Sequence, residues 1–145
     1  MNDLVNSRYL IIYHKEDNDG LFSMAIAYNY FVHEIKCNPA KISLFGADYN
    51  DLNSISDEDI RCWKESFDYI IMADICFNNT KRMVELKNLF DNRFIWIDHH
   101  APVIKESFKL KFDDVNGERN TLRSALLNTY KYYYDQFDIA YNDKK

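Results

Sequence analysis

Apolar residues in this chain fall in short runs that stop abruptly at charged or imidazole side chains. The runs are Tyr9-Leu10-Ile11-Ile12-Tyr13, Ile42-Ser43-Leu44-Phe45-Gly46, Tyr69-Ile70-Ile71-Met72-Ala73 and Phe94-Ile95-Trp96-Ile97. Runs this short, bounded by polar residues, predict strands of a parallel sheet buried on both faces. Between them the period turns helical. Phe22, Ala25, Ile26, Tyr30 and Phe31 mark the apolar face of a helix over 21–35, ended by Pro39. Ser56-Asp57-Glu58-Asp59 opens a short helix reaching Trp63. Asn78-Asn79-Thr80 caps another over 81–90, with Met83, Leu86, Leu89 and Phe90 inward. The pattern β-α-β-α-β-α-β predicts an α/β fold: three layers, doubly wound, a mainly parallel sheet with helices on both faces and right-handed crossovers.

The last third is patterned differently. Beyond Pro102, Ser107-Phe108-Lys109-Leu110-Lys111-Phe112 alternates apolar and polar positions, predicting an edge strand with its lysines in solvent. Asn120-Thr121 is placed to cap a final helix over 122–135. Its Tyr130, Tyr132, Tyr133 and Tyr134 suit core or rim packing better than base stacking.

The 145 residues are expected to form a single domain, 1–145, without repeat or linker. A hydrophobic content of 47%, with 16% aromatic, excludes a disordered chain. A net charge of −5 supplies no basic field for long nucleic acid, so no DNA duplex is expected as a partner. Cys37, Cys62 and Cys76 are odd in number and scattered, as in a protein with reduced thiols. The N-terminus lacks a basic stretch followed by an apolar one, and no run approaches a membrane span, so the expected location is cytoplasmic.

Candidate chemistry sits where the runs stop. The first leads into His14-Lys15-Glu16-Asp17-Asn18-Asp19-Gly20, the third into Asp74 and the fourth into Asp98-His99-His100. Three parallel strands would bring His14, Asp17, Asp19, Asp74, Asp98 and His99 to one edge of one sheet, where ligands of open α/β sheets bind. Carboxylates and imidazoles without thiolates suit Mn²⁺ or Mg²⁺, and the set is large enough for two ions. Asp48 reads as a turn residue, His33 as a surface residue late in its helix, and Cys76 as a core thiol.

These three motifs, in this order and each closing a strand, resemble those of the DHH phosphoesterase superfamily in its RecJ-like and oligoribonuclease-like branch. His14 to Gly20 resembles its first motif, Asp74 the lone aspartate of the second, and Asp98-His99-His100 the motif that names it. The resemblance implies that His14, Asp17 and Asp74 bind one ion and Asp19, Asp74 and His99 the other, with Asp74 as the bridge. It implies further that Asp98 orients a ligand and that His100 faces the phosphate as donor or general acid.

The chain departs from the family's pattern at two points. Only Lys15 and Glu16 separate the first His from the first Asp, where the family often has three residues, which makes Asp17 the weakest of the implied ligands. The family's fourth aspartate has only Asp143 as a remote counterpart, and no Gly follows Gly117 to build the glycine-rich loop of the usual C-terminal substrate domain. The expected function is a Mn²⁺- or Mg²⁺-dependent phosphoesterase acting on short oligonucleotides, nucleotide second messengers or a similar ester. A pyrophosphatase is the enzymatic alternative; a catalytically incomplete nucleotide-binding or interaction module is the other. Arg119 and Arg123 are the candidate phosphate contacts, and a partner domain or subunit is expected to complete the site.

Overall fold

The computed structural model describes residues 3–134. Four strands, β1 (Tyr9–His14), β2 (Ile42–Ala47), β3 (Tyr69–Ala73) and β4 (Phe94–Ile97), form one sheet in the order β2-β1-β3-β4. Every pairing is parallel, with Tyr9 level with Ile42 and Tyr69, and Ile70 level with Phe94. The chain therefore starts in the middle of the sheet, goes to one edge and returns to the other side. Strand order reverses between β1 and β3, which opens a crevice at their carboxyl ends.

Side-chain alternation divides the core in two. Leu10, Ile12, Ile70, Met72, Phe94 and Trp96 face one side. There they pack under Leu52 of α2 (Tyr49–Asn53), Ile60 of α3 (Asp57–Ser66), Met83, Leu86 and Phe90 of α4 (Thr80–Phe90) and Ile104 of α5 (Ala101–Lys109). Tyr9, Ile11, Tyr69, Ile71, Ile95 and Ile97 face the other, against Ala27 of α1 (Asn18–Asn29), Phe31, and Tyr132 and Tyr133 of α6 (Ala125–Tyr134). Tyr132 and Tyr133 thus serve core packing, while Tyr130 is exposed and stacks on Tyr134. Strands buried on both faces need apolar residues at every position, which is why they read as unbroken runs.

Two helix starts follow the predicted capping chemistry. Ser56 and Asp59 exchange side-chain and backbone hydrogen bonds at the head of α3, and Asn79 Oδ1 accepts from Lys81 N at 3.0 Å at the head of α4. Helix α1 departs from expectation: its buried positions are Gly20, Ser23 and Ala27, while Phe22 is 55% exposed. Small residues face inward because α1 begins against the end of β1. A Cβ on Gly20 would lie 1.9 Å from the His14 carbonyl oxygen.

The predicted edge strand over 107–112 is a helix end. Pro102 occupies the first turn of α5, where its missing N–H costs nothing, and Ile104 and Ser107 face inward. Phe108, whose alternation with Leu110 and Phe112 suggested a strand, is 64% exposed. The edge is covered instead by the polar residues 116–119. Trp96 N donates to Asn116 O at 2.9 Å and Asp98 N to Glu118 O at 3.2 Å. Gly117 fits there because a Cβ would meet the Trp96 carbonyl at 2.0 Å. Helix α6 begins at Ala125 rather than 122, and Asp135, in the predicted range, lies outside the described residues, as does Asp143.

Candidate metal centre

The carboxyl ends of β1, β3 and β4 bring together most of the predicted residues. Asp74 follows β3 with φ 61°, a left-handed conformation that few non-glycine residues adopt, and it is 1% exposed. On one side of it His14 Nδ1 lies 3.7 Å from Asp74 Oδ2 and 3.3 Å from Asp17 Oδ2. On the other, His99 Nε2 lies 3.1 Å from Asp74 Oδ1 and 3.5 Å from Asp19 Oδ2. Two groups of potential ligands result, His14-Asp17-Asp74 and Asp74-His99-His100, with Asp74 in both.

Asp17 is fixed by its second duty. It precedes α1 and accepts from Gly20 N at 2.9 Å through Oδ1, leaving Oδ2 toward His14. Its burial alone would raise its pKa, but the Gly20 N–H and the neighbouring His14 outweigh that and hold it below the ordinary carboxylate range. Asp19 is engaged differently: its oxygens accept from Ala125 N at 3.0 Å and Leu126 N at 2.7 Å, closing the first turn of α6. Of the two aspartates, Asp17 therefore has the less committed carboxylate, although the spacing favoured Asp19.

Asp98 is fully buried and acts on its neighbours. Its Oδ1 accepts from His99 N at 2.7 Å and His100 N at 3.2 Å, and lies 2.6 Å from His100 Nδ1. Trp96 Nε1 donates to its other oxygen at 3.1 Å. The imidazole of His100 is thereby oriented with Nε2 away from Asp98. The Asp98 hydrogen bond, against the cost of burial, raises the pKa of His100. Asn128 on α6 donates to Asp98 O at 3.0 Å and Asn120 O at 2.9 Å, anchoring the same turn from behind. Trp96 could have been found from sequence, since residues two apart on a strand share a face. Asn128, thirty residues away, carried no such signal.

The two arginines lie beside these turns, Arg119 bridged to Asp98 along the backbone and Arg123 two residues before Ala125. Arg119 donates to the carbonyls of Trp96 at 2.8 Å and Val115 at 2.7 Å and lies over the Trp96 ring, strapping the edge segment to β4. Arg123 approaches Glu118 at 3.4 Å. Both guanidiniums thus have partners within the fold. Asp48 caps α2, and Cys76 is a buried core thiol whose pKa burial and then Asp98 push up.

A divalent cation fits this donor set. Both carboxylate oxygens of Asp74, and His14 Nδ1, are buried without a hydrogen-bond partner. Burial, then the charges of Asp19 and Asp17, push Asp74 up to about 8. A buried carboxylate surrounded by others is a poor arrangement for a protein alone and a good one around a cation. The donors are oxygen and imidazole nitrogen, as Mn²⁺ and Mg²⁺ sites use.

No family model matches the sequence, and no curated protein matches it. Among solved structures, the crystal structure of exonuclease RecJ bound to manganese superposes with a TM-score of 0.60 at 14% identity. The match covers 93% of this chain and 34% of that one, so the chain spans about a third of its length. The fold is thus similar to the α/β arrangement found in that nuclease. No helix among the described residues is long and apolar enough to cross a membrane.

Proposed function

We propose that this protein is a phosphoesterase using two Mn²⁺ or Mg²⁺ ions, and that its substrates are nucleotides or short oligonucleotides. The observation that carries the reading is Asp74: buried, without hydrogen bonds, and shared by two ligand groups at the crevice where strand order reverses. The fold of the manganese-bound exonuclease supports it. His14 and Asp17 would hold one ion with Asp74, and His99 the other with Asp74, assisted by Asp19. When bound, such ions neutralise charge developing at phosphorus and acidify water. His100 donates a proton from Nε2 to the leaving oxygen, and Asp98 aims its ring and favours the protonated form. Asp17 and Asp98 also fix the backbone turns that present the histidines. A net charge of −5 favours small substrates over long polymers.

The internal engagement of Arg119 and Arg123 favours a second element of the reading. A partner domain or subunit closes the site and supplies cations to the substrate, and residues 1–145 alone turn over slowly. A non-catalytic nucleotide-binding module is the competing reading. The deciding experiment is Mn²⁺ calorimetry on the wild type and Asp74→Asn, together with hydrolysis of a model phosphodiester and a short RNA. Two-site Mn²⁺ binding lost in Asp74→Asn, with Mn²⁺-dependent hydrolysis, is expected. Equal binding by both proteins would remove the metal centre, and tight binding without hydrolysis, with or without partner domains, would leave the binding module.

A further inference from the structure

The two edges of the sheet are treated differently. The β4 edge is covered by residues 116–119. Beyond β2 no further strand is paired among the described residues. Natural edge strands are blunted by charge, proline or a bulge, yet β2 is Ile-Ser-Leu-Phe-Gly-Ala, uncharged and regular over its whole pairing with β1. Its Leu44 is 46% exposed. The nearest lysine, Lys41, donates to Asn6 O at 2.8 Å.

The direction of each backbone group follows from one hydrogen bond. Lys15 N donates to Ala47 O at 3.1 Å, so Ala47 points toward β1, as do Phe45 and Ser43 by alternation. Leu44 and Gly46 then offer both N–H and C=O to the open side, and Ile42 its C=O, its N–H being held by Pro39 O. In an antiparallel pair, residues that face outward exchange both hydrogen bonds with the residue opposite. Laid against itself, β2 places Leu44 opposite Leu44 and Ile42 opposite Gly46, with no charge in the register. The apolar pair covers the exposed leucine, Ile42 of one copy comes beside the Tyr13 ring that lies over Gly46 of the other, and Lys41 of one copy comes to the end where the other carries Asp48.

We propose that β2 is a homodimer interface, in which two copies join antiparallel through Ile42–Ala47 about a two-fold axis at Leu44 to make one continuous sheet. Because the β4 edge is covered, association closes at two copies. The candidate metal centres then lie on opposite rims.

The test is sedimentation velocity of the full chain over a range of concentrations, with Leu44→Lys and Leu44→Glu alone and mixed. A wild-type dimer is expected. Each variant places like charges opposite each other at the axis and should weaken self-association about tenfold or more, whereas the equimolar mixture should restore a dimer. Circular dichroism checks folding, and Ser43→Lys, exposed beside the axis, replaces a Leu44 variant that does not fold. A wild type monomeric at every concentration overturns the proposal and leaves the edge to a different chain. A dimer indifferent to these charges overturns it equally.

Discussion

Asp74 joins three features seldom found together in a residue that serves packing alone: left-handed backbone, complete burial and a carboxylate without hydrogen bonds. In the metal-free protein its pKa lies near 8, above an unfolded value of about 3.9. The folded state therefore holds the proton more tightly, so this group favours folding fully below about pH 4 and loses that contribution as pH rises through about 8. Thermal melts in chelator should show Asp74→Asn more stable than wild type by about 1–3 kcal/mol at pH 8, with the gap vanishing toward pH 4. The same substitution should abolish stabilisation by added Mn²⁺, since a ligand stabilises only the state that binds it. In the proposed reaction Asp98 acts through His100. Asp98→Asn should lower kcat by roughly 10²–10⁴-fold with KM little changed, the range of a lost general acid. It should also shift the alkaline limb of the pH–rate profile downward, because the hydrogen bond that raises the His100 pKa is gone.

At the scale of elements, α1 positions the centre by lying close on β1. Gly20→Ala drives a methyl against the backbone of His14, which no rotamer change relieves. It should cost about 3 kcal/mol, the upper end for overpacking, and displace Asp17 from His14; chemical denaturation and Mn²⁺ affinity would read the two effects. What was legible in the sequence follows from the same geometry. Strands buried on both faces announce themselves, and the polar residues that stop them mark the rim, so His14, Asp74 and His99 could be placed without coordinates. The helix over 21–35 was located and its Tyr30 and Phe31 do face the core, but the inward positions of α1 itself were missed because hydrophobicity marks large residues, while close contact selects Gly20, Ser23 and Ala27. The alternation of Phe108, Leu110 and Phe112 imitated a strand because Phe108 is simply exposed at a helix end. The true edge segment, residues 116–119, is held by backbone bonds and Arg119, which leave no periodic trace.

Across the whole molecule, distant segments are tied by polar contacts. Arg8 lies 3.2 Å from Asp68, joining the starts of β1 and β3, and its hydrogen bond holds the Asp68 pKa below the ordinary range. A depressed carboxylate stabilises above its unfolded pKa of about 3.9 and loses that contribution as pH falls through its folded value. Melts of Asp68→Asn and wild type should therefore differ at pH 6 and converge as the pH drops well below 4. The longest of these ties is that of Asp19, whose partners Ala125 and Leu126 lie 106 and 107 residues further along. A ribosome delivers the chain from its N-terminus, at about 5–20 residues per second, so His14, Asp17, Asp74 and His99 all emerge before the turn that engages Asp19. The order of synthesis thus acts as a timer: until α6 has left the exit tunnel, the nascent chain carries a half-built centre.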